Sequence, residues 1–150
     1  MSVTDVTVRR ARPEDLEALV DLVQSHVRDY YGRPAPTAER VRALLGTLLY
    51  EKEGVVLVAE ESGRLAGFAI LYFTFSTEHA DKIAVLNDIH VLEELRRTGA
   101  GSMLFDGCRD FAKENGFAYL TWQVTRDNQP AQGFFERMGA TRQDWVSYSI

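Results

Sequence analysis

Residues 83–104 read IAVLNDIHVLEELRRTGAGSML, which combines an apolar strand pattern, a polar loop and a glycine-rich turn. The run from residue 83 to residue 91 begins apolar on both faces, which is typical of a strand in the centre of a sheet. After Gly99 and Gly101, apolar residues recur every three or four positions, which predicts an amphipathic helix. The sequence therefore places a central strand just before a helix that begins with glycines.

Strand and helix patterns continue on both sides of this unit, without internal repeats or linkers. They predict one α/β (α+β) domain over residues 1–150, with a mixed sheet flanked by helices in the order β-α-α-β-β-β-α-β-α-β. In chain order the predicted elements are a strand at Val6–Val8, helices at Pro13–Val27 and Thr37–Leu48, strands at Val55–Ala59, Leu65–Phe75 and Ile83–Val91, a helix after Gly101, a strand at Tyr119–Val124, a helix at Pro130–Met138 and a closing strand at Trp145–Ile150.

The composition is that of an ordinary globular domain, with 45% apolar and 26% charged residues among 150. A formal net charge of −5 argues against a basic surface for nucleic acids or membranes, so neither is an expected partner. The single cysteine, Cys108, and three histidines show no zinc-ligand spacing, and no metal is expected. With one cysteine and no membrane-length apolar run, the expected location is cytoplasmic.

The triplet Gly99-Ala100-Gly101 is the first candidate binding motif. It matches neither the phosphate-binding pattern G-x-x-x-x-G-K-[ST] nor the dinucleotide pattern G-x-G-x-x-G. Its position between a strand and a helix would let a phosphate approach the backbone and the free N–H groups of the first helical turn. A plain helix-start turn is the alternative interpretation.

The segment Arg96–Gly101 resembles the R-x-x-G-x-G acetyl-CoA signature of the GNAT N-acetyltransferase superfamily. The second signature, N-x-x-A-x-x-x-[YF]-x-x-x-G, is matched by Asn128, Ala131, Phe135 and Gly139. The resemblance covers essentially the whole chain and implies a mostly antiparallel sheet with acetyl-CoA as co-substrate. Two spaced signatures are more specific than one.

Within that superfamily the chain looks most like the spermidine/spermine and thialysine acetyltransferase branch. The similarity lies in residues 86–91, 73–77 and 145–148. The resemblance implies that the strand at Ile89–Val91 offers backbone groups to the acetyl and pantetheine parts of acetyl-CoA. It also implies that the glycine-containing loop holds the pyrophosphate and that Asn128 binds the pantetheine. The implied cofactor-binding residues are Ile89, His90, Val91, Arg96, Arg97, Thr98, Gly99, Ala100, Gly101, Ser102, Asn128 and Phe135.

Two substitutions depart from the branch. Where it has a glutamate base this chain has Asn87, and where a tyrosine commonly protonates the leaving thiolate it has Phe135. An amide is not a useful base and a phenyl ring has no proton to give, so we expect water to accept the amine's proton. The remaining candidates are Asp88, as a buried structural carboxylate or a proton relay, and His90, as a base. The implied catalytic set is Asn87, Asp88, Ile89, whose N–H would stabilise an oxyanion, and Phe135.

The expected reaction is transfer of acetyl from acetyl-CoA to a primary amine by direct attack in a ternary complex. A small cationic acceptor, polyamine-like or amino-acid-like, fits the acidic balance. A protein or peptide amine and a catalytically silent acyl-CoA-binding domain are the alternatives, and a homodimer is one candidate assembly. Residues considered for the acceptor pocket are Glu78, His79 and Asp81 and the aromatics Tyr30, Tyr31, Tyr72, Phe73 and Trp122.

Overall fold

The computed structural model describes residues 5–96 and 98–150, which form a five-stranded sheet with helices on both faces. The strands follow chain order across the sheet; the first four are antiparallel and the last is parallel to its neighbour. This confirms the predicted fold class. The elements are β1 (Val6–Arg10), α1 (Leu16–Tyr30), α2 (Ala38–Leu49), β2 (Gly54–Glu61), β3 (Arg64–Ser76), β4 (Asp81–Val91), α3 (Ala100–Glu114), β5 (Leu120–Thr121) and α4 (Gln129–Arg137).

The helices divide into two layers because each has one apolar face. On α1, Leu19, Val20 and Val23 are buried against a cluster that includes Phe68 and Ile70 of β3. On the opposite face of the sheet, α3 and α4 cover a second apolar cluster. In the described ranges, no helix is both long and apolar enough to cross a membrane.

Two irregularities of β4 determine where a site can form. First, Ile70 of β3 pairs with Asp88, but Leu71 pairs with Leu86, so Asn87 is an extra residue, a β-bulge. Second, β4 pairs with β5 at only two positions, Ala84 with Leu120 and Val85 with Thr121. Beyond these pairs the two strands separate, and one edge of β4 is left open.

The predicted closing strand at Trp145–Ile150 is wrong. Residues 140–150 have no regular secondary structure, and the side chains of Trp145 and Tyr148 are 82% and 92% exposed. A strand needs a neighbouring ladder, and β5 is only two residues long, not the six predicted at Tyr119–Val124. A side-chain hydrogen bond, donated by Gln123 Nε2 to Ser147 Oγ, links this segment to the residues that follow β5.

Candidate functional site

A cleft of about 250 Å³ opens where β4 and β5 separate. Its walls are the end of α1, residues 86–91 of β4, residues 122–124 after β5, and the beginning of α4. A larger hollow of about 700 Å³ lies between α2 and α3 and contains neither signature motif. The cleft, which is lined by Gly101, Asn128 and Phe135 of both motifs, is therefore the candidate active site.

The bulge at Asn87 turns backbone donors of β4 toward this cleft. The N–H of Ala84 points to β5, where it donates to the carbonyl of Tyr119, whereas the N–H of Leu92 donates to β3. Because directions alternate along a strand, residues 88 and 90 share the β3 side with Leu92. The N–H groups of Ile89 and Val91 therefore face the open edge. The sequence-based assignment of an N–H donor to Ile89 agrees with this direction.

On the α1 face of β4, polar side chains form a connected chain of contacts. Nδ1 of His26 lies 3.2 Å from Nδ1 of His90, and Nε2 of His26 lies 3.3 Å from Oδ1 of Asp88. The Tyr31 hydroxyl donates to Oδ1 of Asp88 at 3.1 Å, and Asn87 Nδ2 donates to Oδ2 at 2.8 Å. The two candidate base residues, Asp88 and His90, thus join through a histidine from another element.

Burial governs the ionisation of this cluster. His26 and His90 are only 4% and 9% exposed. Burial, reinforced by the nearby His26 and Arg96, lowers the pKa of His90 to about 4. Burial also opposes the charge on Asp88, but hydrogen bonds from His26 and Asn87 outweigh it and hold the pKa of Asp88 below its usual value. At neutral pH the cluster contains a neutral His90 and an ionised Asp88.

Aromatic rings form the opposite wall. The ring of Phe135 is 7% exposed and lies 5.0 Å from the ring of Trp122 and 5.5 Å from that of Phe105, between centroids. Phe135 therefore contributes to the core and the cleft at once. Tyr30 and Tyr31 also line the cleft.

The beginning of α3 presents backbone N–H groups without an acidic side chain in its first turn. Gly99 has a φ of +94°, a left-handed conformation that favours glycine. A Cβ on Gly101 would lie 3.9 Å from Val91 Cγ2, an ordinary contact. Arg96 Nε donates to the carbonyl of Val91 at 2.9 Å, which ties the loop to the end of β4. Arg97 lies outside the described residues.

Other predicted site residues have partly different surroundings. Asn128 caps α4, accepting a hydrogen bond from the N–H of Ala131 at 3.2 Å, and its Nδ2 is free to donate as far as the described part of the chain is concerned. Thr98 Oγ1 donates to the carbonyl of Leu95 at 2.6 Å, so its hydroxyl proton is already engaged. Ala100 is fully buried and Ser102 is partly buried in the first turn of α3.

Several candidates for the acceptor pocket lie elsewhere. Glu78, His79 and Asp81 are at the far end of the β3–β4 hairpin, and Asp88 lies six intervening strand residues, about 23 Å, beyond Asp81. Tyr72 and Phe73 line the larger hollow, not the cleft.

Sequence reasoning missed His26. Its one signal was its place on the apolar stripe of α1, three residues after Val23.

Comparisons with known proteins identify the family of the chain. The model of the acetyltransferase (GNAT) family matches residues 19–140. The chain is 35% identical over 134 residues to "Uncharacterized N-acetyltransferase YhfO" of Bacillus subtilis (strain 168), covering 89% of each chain. It is 35% identical over 77 residues to "Streptothricin acetyltransferase" of Streptomyces lavendulae, covering 51% of this chain and 39% of the relative.

A solved structure described as "Crystal structure of a probable acetyltransferase" superimposes with a TM-score of 0.84, at 30% identity and 96% coverage of both chains. These similarities confirm the superfamily, while the closer spermidine/spermine and thialysine branch stays a prediction. The chain therefore belongs to the acetyltransferase (GNAT) family, whose members use acetyl-CoA as co-substrate, and it is an acyltransferase enzyme.

Proposed function

We propose that the enzyme transfers acetyl from acetyl-CoA to the primary amine of a small cationic molecule, by direct attack in a ternary complex. The observation that carries this proposal is the meeting of two sets of backbone N–H donors in one cleft. These are the N–H groups of Ile89 and Val91 on the open edge of β4 and those at the beginning of α3. An extended amide-rich arm matches the first set, and a pyrophosphate matches the second.

In this arrangement the pyrophosphate lies against the backbone of residues 98–102, with Arg96 or Arg97 adding positive charge. Glycine at positions 99 and 101 keeps the approach to the backbone open. The pantetheine arm follows β4, and the free Nδ2 of Asn128 donates to one of its carbonyl oxygens. The absence of an acidic residue in the first turn of α3 supports this placement, since a carboxylate there would repel the phosphates.

The chain is proposed to assist the reaction by stabilising the negative charge that develops on the thioester carbonyl oxygen. The amine nitrogen attacks the carbonyl carbon, an N–C bond forms, the C–S bond breaks and CoA leaves as a thiolate. The N–H of Ile89 is assigned to the carbonyl oxygen, where negative charge develops during attack. Phe135 borders the same region without a proton to donate, so the thiolate takes its proton from solvent or from the amine.

The cationic acceptor is proposed from the charge of the cleft. Asp88 places a carboxylate beside the open edge of β4, and the Tyr31 hydroxyl donates a hydrogen bond to its Oδ1 at 3.1 Å. The net charge of −5 favours encounter with cations. The relative named for streptothricin, which matches part of this chain, supports a small-molecule acceptor. We further propose a cytoplasmic location, because the single cysteine, Cys108, is a buried free thiol and the chain has no second cysteine for an intrachain disulfide.

An acetyl-CoA consumption assay tests the proposal against diamines, amino acids, aminoglycosides and peptides. We expect turnover with at least one small cationic amine and a lower kcat/KM with neutral amines of similar size. Calorimetric titration of acetyl-CoA alone separates binding from turnover. Preferred transfer to peptides would replace the proposed acceptor class. Tight binding without transfer to any amine would replace the enzyme with an acyl-CoA-binding domain. Size-exclusion chromatography of the same sample tests the homodimer, which we propose as its assembly.

A further inference from the structure

Two of the three histidines of this chain meet in a buried contact at the cleft. His26 comes from α1 and His90 from β4, and their Nδ1 atoms are 3.2 Å apart. Two ring nitrogens at this distance share one proton, so one ring donates and the other accepts. The contact therefore fixes the protonation state of both rings together.

Asp88 decides which ring is the donor. Its carboxylate lies 3.3 Å from Nε2 of His26, and an ionised carboxylate can only accept. Nε2 of His26 must therefore carry the proton, which leaves Nδ1 of the neutral ring as an acceptor. His90 then donates from Nδ1, and its Nε2 is an unprotonated nitrogen with a free lone pair.

That free lone pair belongs to the cleft. His90 lines it, and the described residues supply no hydrogen-bond partner for Nε2. No fully buried side-chain nitrogen or oxygen of the described residues lacks a partner, so this atom keeps access to cleft solvent. A carboxylate, two imidazoles and an open acceptor atom thus form one continuous line, Asp88–His26–His90.

We propose that His90 is the catalytic base for acetyl transfer and that His26 and Asp88 are positioning residues that draw the proton away from it. This inference rests on the proposed function, because it requires an ammonium that must be deprotonated before attack. It replaces direct loss of the proton to bulk water, which the sequence alone favoured.

The proton steps balance as follows. The acceptor ammonium gives one proton to Nε2 of His90, directly or through one water molecule. His90 passes its Nδ1 proton to Nδ1 of His26, which becomes an imidazolium beside the Asp88 carboxylate. The neutral amine then attacks the thioester, and its second proton leaves with the CoA thiolate. The relay returns to its starting state when the proton leaves His26 through His90 to solvent.

The surroundings favour movement of the proton from His90 toward His26. Burial, and after it the neighbouring His26 and Arg96, disfavour a charge on His90 and lower its pKa, and Asp29 of α1 opposes them. On the other side, Asp88 stabilises an imidazolium at His26, as a carboxylate does in a catalytic triad. Tyr31 and Tyr72 also face Asp88, and their pKa values are raised by burial and by its charge, so both stay neutral. His90 therefore accepts the proton from the substrate, and His26 holds the resulting positive charge.

Nitrogen-15 NMR of the whole protein tests the hydrogen bonding without any acceptor substrate. Only three imidazoles contribute, and the exposed His79 serves as internal reference. We expect His90 as the Nδ1–H tautomer and His26 as the Nε2–H tautomer at pH 7, with His90 still neutral at mildly acidic pH because its pKa is lowered to about 4. An Nε2–H tautomer of His90, or a charged His90 at neutral pH, would overturn the relay whatever the enzyme acetylates.

His26→Gln tests the relay in turnover with the best amine from the acceptor panel. A glutamine oxygen can accept from His90 and its amide can donate to Asp88, but it cannot carry a proton onward. We expect kcat/KM at pH 7 to fall at least tenfold. The plateau that we expect in wild-type kcat/KM near neutral pH should disappear in this variant, while acetyl-CoA affinity and melting temperature stay unchanged. His79→Gln is the matched control. Wild-type rates and pH profile in His26→Gln would overturn the proposal, whereas lack of turnover in the wild type would overturn the proposed function.

Discussion

Asn87 donates a hydrogen bond from Nδ2 to Oδ2 of Asp88 at 2.8 Å, so the bulge residue of β4 also holds the buried carboxylate next to it. The residue that stands where the resembled branch has a glutamate base thus has a partner of its own. The Asn87 amide stabilises the negative charge of Asp88, whereas a glutamate carboxylate at position 87 would repel that charge. This contact determines what substitutions at position 87 can do.

Asn87→Glu should give the enzyme a carboxylate base. Repulsion by Asp88 would raise the pKa of the new carboxyl group toward the neutral range, where a general base is most effective. We expect the profile of kcat/KM against pH to shift to lower pH, or the rate at pH 7 to rise. Asn87→Gln, which keeps an amide, is the control. Indistinguishable pH profiles for the two variants would argue against a new base.

Gly101→Val should weaken acetyl-CoA binding by at least tenfold, because its side chain would stand where the pyrophosphate approaches the first turn of α3. The protein itself has room at this position, since the nearest atom to a Cβ is Val91 Cγ2 at 3.9 Å. Gly101→Ala should have a smaller effect. Titration calorimetry measures affinity, and thermal melting checks the fold. Unchanged affinity in the valine variant would remove the phosphate assignment.

Phe135→Tyr should keep the fold and raise kcat modestly if protonation of the leaving thiolate limits the rate. The ring both lines the cleft and packs in the apolar core, so the outcome depends on whether the added hydroxyl enters the cleft or the core. A hydroxyl buried without a partner would instead lower stability by about 1–3 kcal/mol. The kcat and the melting temperature should be measured together. Lower stability with unchanged rate and affinity would show that the ring has a packing role alone.

Arg9→Met should destabilise the fold by about 1–3 kcal/mol, because it leaves two partly buried carboxylates without their cation. Arg9 binds Asp15 through two hydrogen bonds, at 2.7 and 3.0 Å, and Glu60 at 3.2 Å. Urea unfolding at pH 7 measures the loss. A change below about 0.5 kcal/mol would mean that solvent replaces these contacts at little cost.

The same pair predicts a dependence on pH. The hydrogen bond from Arg9 is the largest of the effects that hold the pKa of Asp15 below its ordinary value of 3.8. A depressed carboxyl pKa contributes stability that is present above that value and is lost as pH falls through the folded-state pKa. The wild type should therefore lose stability below about pH 4 more steeply than Arg9→Met. Parallel acid transitions in the two proteins would contradict this.

The sequence predicted the fold well where the pattern itself carries the information. The apolar run of β4, the Thr37 cap of α2 and the glycine start of α3 all depend on local chemistry, and the structure has each of them. The closing strand at Trp145–Ile150 failed because alternation describes a strand's faces but not whether an open ladder is available beside it.

The polar half of the site was less accessible to sequence reasoning. Asp88 and His90 were candidates from their strand, but His26 is 64 residues from His90 along the chain. A histidine on an apolar helix stripe is compatible with simple packing, and only the docking of α1 onto the sheet brings the two rings together. The direction that the bulge at Asn87 gives to the Ile89 N–H depends on the pairing of β4 with both neighbouring strands, which the alternation of residues along one strand does not reveal.

The bulge has a consequence for how this strand can change over evolution. Because one residue is inserted at the bulge, every later backbone N–H of β4 points to the opposite edge of the strand from the one it would otherwise face. This effect does not depend on the side chain of the inserted residue. A loss of one residue at position 87 would redirect the N–H groups of Ile89 and Val91 into the pairing with β3, or force every later side chain onto the other face. Position 87 therefore has two separate structural effects: the presence of a residue creates the bulge, and its side chain determines the contact with Asp88. An asparagine can replace a glutamate there without loss of the donor geometry, whereas a deletion cannot be compensated by any single substitution.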